Sequence, residues 1–172
     1  MLPQTKRILY ATDLSPNSGY VFRYALSEAE KHGAHLVILH VIEKLAPTAL
    51  ALAGPFLGGD AFEALSEENK SYAKARVLKR LQHICNQEKG QNLDVHERIE
   101  AIEVAQGHAP DLILSKADEC DCDVIFMGTH GKGFLRHTHF GSTSRRVLRR
   151  ARKPVFVVPL PEGEIDITIR GE

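Results

Sequence analysis

Val124-Ile-Phe-Met-Gly-Thr-His-Gly131 passes from an apolar run directly into glycines, and after Lys132 to Phe140 the chain resumes at Gly141-Ser-Thr-Ser144. The reading of this stretch decides the fold. Val124 to Met127 is short and continuously apolar, as suits a strand buried on both faces. Ser142 to about Ala151 reads as a helix, ended by Pro154. A strand, a glycine turn and a helix in that order form one half of a βαβ unit.

The same stretch carries chemistry. Glycines permit positive φ and let the backbone come close to an anion. A helix beginning at Ser142 presents unpaired N–H groups and the positive end of its dipole. Ser142, Thr143 and Ser144 add hydroxyls at the same corner. Alone, the glycines can simply turn the chain and a serine can simply cap a helix. Joined in a strand-loop-helix context, they point to a phosphate site. The spacing is not a Walker loop, since no Gly-Lys-Ser/Thr closes it. Nor is it the dinucleotide Gly-x-Gly-x-x-Gly, whose glycines share one tight turn. Here nine residues, Lys132 to Phe140, separate the two halves.

Working outward, Arg7 to Ala11, Leu36 to Ile42 and Val155 to Val158 are further nearly continuous apolar runs and read as buried strands. Leu93 to Ile99 alternates and predicts an edge strand. Ser15-Pro16 predicts an N-cap hydroxyl followed by proline at the first helical position. Phe22, Ala25, Leu26 and Ala29 then recur at helical spacing, and Gly33 is a natural stop. A second helix is expected from near Ser66 to Glu88, with Tyr72, Ala75, Leu78, Leu81 and Ile84 on its apolar side. A third spans Ala109 to Glu119, with Leu112, Ile113 and Ala117 inward. Strict β-α alternation calls for right-handed crossovers and a parallel sheet covered on both faces. Two segments stand outside it. Glu43 to Asp60, with Gly58-Gly59, reads as a mobile loop over apolar surface, or a functional lid. The tail from Leu160 alternates Ile165, Ile167 and Ile169 and suggests an added strand.

The bulk numbers exclude other classes. The 172 residues suffice for one domain with a full core and are too few for two ordinary ones. Lys+Arg and Asp+Glu both number 22, so no net field recruits nucleic acid or an anionic membrane. The apolar runs are far short of the ~18 residues needed to span a bilayer. The opening residues lack the features of a secretory signal. Cys85, Cys120 and Cys122 form no disulfide framework, which suits a reducing cytoplasm.

Gly-x-x-Gly, nine residues, then Gly-Ser (Gly128, Gly131, Gly141, Ser142) resembles the ATP-binding signature of the universal stress protein family. The resemblance covers most of the chain. Arg7-Ile-Leu-Tyr-Ala-Thr-Asp-Leu-Ser resembles the family's first strand and following Asp, and Leu39-His-Val the end of its second. Asp123 to Gly131 and Lys153-Pro-Val-Phe-Val-Val-Pro resemble strands four and five. The resemblance implies an open five-stranded parallel sheet with helices on both faces and strand order 3-2-1-4-5. This is a Rossmann-like fold, similar to adenine nucleotide alpha hydrolases, over residues 1–160, with 161–172 as a C-terminal extension. Strands one and four then leave their shared boundary in opposite directions, and such switch points bind ligands.

Residue roles follow from the same resemblance. Ala11, Thr12 and Asp13 would line the adenine and ribose side, with Asp13 as acceptor, and the backbone of Val41 would meet the adenine edge. Gly128 would lie against the ribose, with Met127 before it also counted in the nucleotide site. His130, Gly131, Lys132, Gly133 and Phe134 would form the loop, while Gly141, Ser142, Thr143 and Ser144 hold the phosphates. A Mg2+ or Mn2+ arriving with ATP would be held mainly by phosphate oxygens and water. Ala11, where the family often has Pro, and Gly133-Phe134 depart from the pattern and put loop geometry in question. The family also implies a cytoplasmic homodimer paired through strand five, whose apolar edge is otherwise exposed.

Other candidates weigh less. His137-x-His139 beside His130 invites a metal reading, but no carboxylate or thiolate completes a site. Cys120-Asp-Cys122 lacks redox-pair spacing. The run Arg145, Arg146, Arg149, Arg150, Arg152, Lys153 is spread over two helix faces and reads as a solvated surface rather than a nucleic-acid patch. Phosphoryl transfer needs a positioned metal and an oriented nucleophile. No base is assigned, so no catalytic residue is named. The leading expectation is a nucleotide-dependent regulatory module. A slow ATPase or phosphotransferase, and a nucleotide-independent dimeric partner-binding module, are the alternatives.

Overall fold

The computed structural model describes residues 2–15, 18–43, 71–72, 74–80, 83, 95–129 and 140–159. Five strands form one sheet: β1 Arg7–Thr12, β2 His35–Ile42, β3 Ile99–Gln106, β4 Val124–Gly128 and β5 Val155–Val158. Their order is β3-β2-β1-β4-β5 and every pair is parallel. The described helices are α1 Ser18–His32, α2 Val95–Arg98, α3 Ala109–Glu119 and α4 Ser142–Arg150, with further helical residues at 71–72, 74–80 and 83.

The central strands show why a parallel sheet needs helices on both faces. Along β1, Ile8 and Tyr10 point into one core and Leu9 into the other. Phe22, Ala25, Leu26 and Ala29 of α1 cover the first, together with Val77. Ile113 and Ala117 of α3 and Val147 of α4 cover the second. Alternation survives along β1, but both faces are apolar, so the run is nearly continuous. Each fully buried Leu, Ile or Phe contributes roughly 1.5–3 kcal/mol. Tyr10 adds a hydrogen bond: its hydroxyl donates to the Ser18 carbonyl at 2.6 Å. This ties β1 to the start of α1, and burial pushes the phenol well above its ordinary titration range.

The ends of α1 are set by local chemistry. Gly33 adopts φ +63°. Its N–H donates to the Glu30 carbonyl at 3.3 Å and that of Ala34 to the Ala29 carbonyl at 2.8 Å, the Schellman pattern. The described part of α1 begins at Ser18. Ser15 serves through its carbonyl, which accepts the Ser18 N–H at 3.0 Å. Pro16 lies outside the described residues.

Two expectations are corrected. The strand predicted over Leu93 to Ile99 begins only at Ile99, and residues 95–98 form a helical turn. β2 is eight residues long, and its outer N–H and C=O groups need a partner along that length. β3 provides it from Ile99 opposite Leu36 to Gln106 opposite Ile42. Its place at the edge is as predicted. The second helix also turns another face inward. Val77 and Arg80 are buried, while Tyr72, Ala75 and Leu78 are exposed. Apolar residues at three-residue spacing did not mark the packed side. Val77 did, by joining the core shared by the sheet and α1.

Candidate functional site

β1 and β4 are neighbours, and the chain leaves β1 toward α1 on one face and β4 toward α4 on the other. Beyond their carboxyl ends lies a cleft of about 550 Å³. Ligand sites ordinarily fall between ~300 and ~1,000 Å³. Of the sequence-predicted residues, Ala11, Thr12, Asp13 and Val41 line one side, and Met127 and Gly128 its centre. Gly141, Ser142, Thr143 and Ser144 line the far side. His130, Gly131, Lys132, Gly133 and Phe134 lie outside the described residues, as do His137, His139, residues 44–60 and the tail 161–172.

The turn after β1 is built from its own side chains. Thr12 Oγ1 accepts the Leu14 N–H at 3.2 Å, and Asp13 Oδ1 accepts the Ser15 N–H at 3.0 Å. Leu14 between them adopts φ +58°. The other carboxylate oxygen, Asp13 Oδ2, is buried and has no hydrogen-bond partner among the described residues. A buried acceptor left unpaired costs about 1–3 kcal/mol, so its position calls for a donor. His40 Nδ1 meets the Thr12 carbonyl at 2.8 Å and joins the ends of β1 and β2.

The opposite side offers donors. Gly141 is the N-cap of α4 and contributes no side-chain cap. The Arg145 N–H donates to the Gly141 carbonyl at 3.1 Å. The N–H groups of Ser142, Thr143 and Ser144 precede that first bond and meet no acceptor among the described residues. The first turn holds no acidic residue, and Arg149 and Arg150 lie in the last, which leaves the positive dipole end uncompensated. Ser144 is committed elsewhere: its hydroxyl is shared between the carbonyls of Thr129 at 2.9 Å and Gly141 at 3.0 Å. The Gly141 N–H also donates to the Thr129 carbonyl at 2.7 Å. The two feet of the glycine loop are thereby joined, and Ser144 offers the cleft its backbone rather than its hydroxyl.

Sequence reasoning missed several lining residues. Leu39, His40, Ile42 and Glu43 come from the end of β2, and Thr129 from the end of β4. Ala109 and Ile113 come from α3. Leu39, His40 and Thr129 stand within the quoted family stretches without being assigned to the site, and the parallel register brings all of these residues to the crevice. Part of the arginine run is paired within the molecule. Arg150 meets Asp111, and Arg146 Nη1 donates to His108 Nε2 at 3.0 Å. That bond requires an unprotonated Nε2, so Nδ1–H is the donor to Asp111 Oδ2 at 2.7 Å. Arg150 first, and His108 second, hold the Asp111 carboxyl below its usual range. Lys153 Nζ donates to the carbonyls of Ala117 and Cys122. Cys122 is buried and free, and burial pushes its thiol up to about 12. Among the described residues no group of three His, Cys, Asp or Glu side chains could hold a metal. No helix among them is long and apolar enough to cross a membrane.

Comparison with known proteins agrees with this architecture. The family model described as the universal stress protein family matches residues 4–159. The chain is 26% identical over 153 residues to universal stress protein MJ0577 of Methanocaldococcus jannaschii, covering 89% of this chain and 94% of that one. It is 30% identical over 153 residues to a universal stress protein of Thermus aquaticus, covering 89% and 98%. Among solved structures, MJ0577 superposes with a TM-score of 0.68 at 21% identity, covering 94% of this chain and all of that one. A universal stress protein in complex with cAMP superposes at 0.60 and 18% identity, covering 92% and 100%.

Proposed function

The chain belongs to the universal stress protein family, and from that premise we propose that it binds ATP in the cleft between Asp13 and the start of α4, as a nucleotide-dependent regulatory module. The observation that carries this reading is the pairing of opposite needs across one crevice. Asp13 Oδ2 is a buried acceptor without a donor, and the first turn of α4 presents N–H donors without an acceptor, among the described residues. A nucleotide has hydroxyl or amino donors at one end and phosphate oxygens at the other. One universal stress protein of this fold is in complex with cAMP, an adenine nucleotide.

In this reading Ala11, Thr12, Asp13 and Val41 take the nucleoside, and Met127 and Gly128 floor the cleft. Gly141, Ser142, Thr143 and the Ser144 backbone take phosphate, and His130 to Phe134 complete the loop. Ser144 positions the loop through its hydroxyl. Mg2+ or Mn2+ enters with the nucleotide, held mainly by phosphate oxygens. Residues 1–160 form the binding domain in the cytoplasm, with 161–172 as an extension. Two copies pair through β5, where Phe156 is exposed on the edge strand while stacked on Phe126 at 4.5 Å. In this reading the cleft binds nucleotide, with slow ATP hydrolysis as the alternative.

Mass spectrometry of nucleotide released from purified, denatured protein, with calorimetric titration of ATP and cAMP, tests the proposal. ATP recovered in near-stoichiometric amount, or micromolar binding, is expected. No released nucleotide and no binding heat would overturn it.

A further inference from the structure

The turn that carries Asp13 is held from outside the crevice. The Ser15 carbonyl accepts Nη2 of Arg80 at 2.8 Å, while the Ser15 N–H holds Asp13 Oδ1 at 3.0 Å. Arg80 is 9% exposed and lies 65 residues away, on the helical segment that inserts Val77 beside α1. A buried guanidinium is uncommon and is kept where it is hydrogen-bonded to fixed groups. The turn it meets is under strain. Leu14 sits at φ +58°, which costs a non-glycine residue roughly 1–2 kcal/mol. Such conformations persist where the surroundings over-determine them. Thr12 Oγ1 and Asp13 Oδ1 are restraints internal to the turn. Arg80 is a tertiary restraint.

We propose that Arg80 is a positioning residue for the nucleotide cleft: by donating to the Ser15 carbonyl it holds the Thr12–Ser15 turn in the geometry that keeps Asp13 Oδ2 buried and directed at a ligand donor. The inference rests on the nucleotide reading of the cleft for its consequence, though the tie between Arg80 and the turn does not. Arg80 thereby connects the helix that follows β2 in the chain to the nucleoside end of the site. A shift of that helix alters Asp13 without touching the phosphate end.

Two measurements test it. In nucleotide-free protein, Arg80→Met is expected to accelerate hydrogen exchange of the Ser15 amide about tenfold or more, with the amides of Leu9 and Ile38 unchanged. An unchanged Ser15 amide overturns the proposal. In a double-mutant cycle with ATP, Arg80→Met is expected to weaken binding about tenfold in the Asp13 background and under about twofold in Asp13→Ala. Equal losses in both backgrounds overturn the positioning role while ATP binding itself stands. Failure of the wild type to bind ATP overturns the nucleotide reading first, and the role of Arg80 with it. Should Arg80→Met not fold, Arg80→Lys keeps a charged donor of shorter reach. A loss of about threefold, confined to the Asp13 background, is then expected, and equal losses again overturn the role.

Discussion

Ser144 and Thr129 are joined across the foot of the glycine loop: the Ser144 hydroxyl donates to the Thr129 carbonyl at 2.9 Å, and that same carbonyl accepts the Gly141 N–H at 2.7 Å. Through them the start of α4 is fastened to the end of β4, so the helix N–H groups face the cleft at a fixed angle. Ser144→Ala removes the buried donor and leaves the Gly141 bond. The expected loss of stability is about 1 kcal/mol, or a fall in Tm of roughly 2–4 °C. ATP binding should weaken severalfold, because α4 loses one tether. An unchanged thermal melt would show that this bond contributes no net stability.

Asp13 is predicted to separate stability from affinity. Asp13→Ala removes the bond to the Ser15 N–H but also removes a buried acceptor with no partner among the described residues. These effects oppose each other, so the nucleotide-free melt should move little. ATP affinity should fall by about 10- to 100-fold, the range for a lost hydrogen bond to a charged group. A large loss of stability with unchanged affinity would place Asp13 in the turn alone.

Cys122 should be inert at neutral pH. Its thiol is buried and raised to about 12, chiefly by desolvation. Iodoacetamide is expected to leave it unmodified in native protein and to label it after denaturation. The linkage has a definite sign. The unfolded thiol loses its proton near 9.0 and the folded one near 12, so the contribution of Cys122 is full below pH 9 and is lost as pH rises toward 12. Cys122→Ser, which does not ionise there, should flatten that part of an alkaline denaturation profile.

Gly33 tests a local rule with little tertiary complication. It adopts φ +63°, and an added Cβ would meet nothing within 4 Å. Gly33→Ala therefore carries only the backbone penalty of the left-handed region, about 1–2 kcal/mol. Chemical denaturation should show this as a lower midpoint with unchanged slope.

Legibility in the sequence followed the range of the interactions involved. Val124 to Met127, Val155 to Val158 and Ala109 to Glu119 needed only composition, periodicity and local stop signals, and the structure has them within a residue or so. The glycine spacing brought Gly128 and Gly141 to the same cleft as Asp13. The third strand lies at Ile99–Gln106 rather than Leu93 to Ile99, because both stretches carry alternating apolar residues and pairing along β2 decides between them. The second helix was turned wrongly because Tyr72, Ala75 and Leu78 form as good a stripe as the face through Val77.

The sequence by itself determined the alternation of strands and helices, the parallel class of the sheet, and the helix start after Gly141. Those are properties of local sterics and side-chain period, which travel with the residues. Only the tertiary structure decided which oxygen of Asp13 is spent on the backbone, that the Ser144 hydroxyl serves the loop, and that Arg80 reaches Ser15. Each depends on groups brought together by the packing of elements far apart in the chain. Which donor meets which acceptor is settled by distance after the sheet has formed.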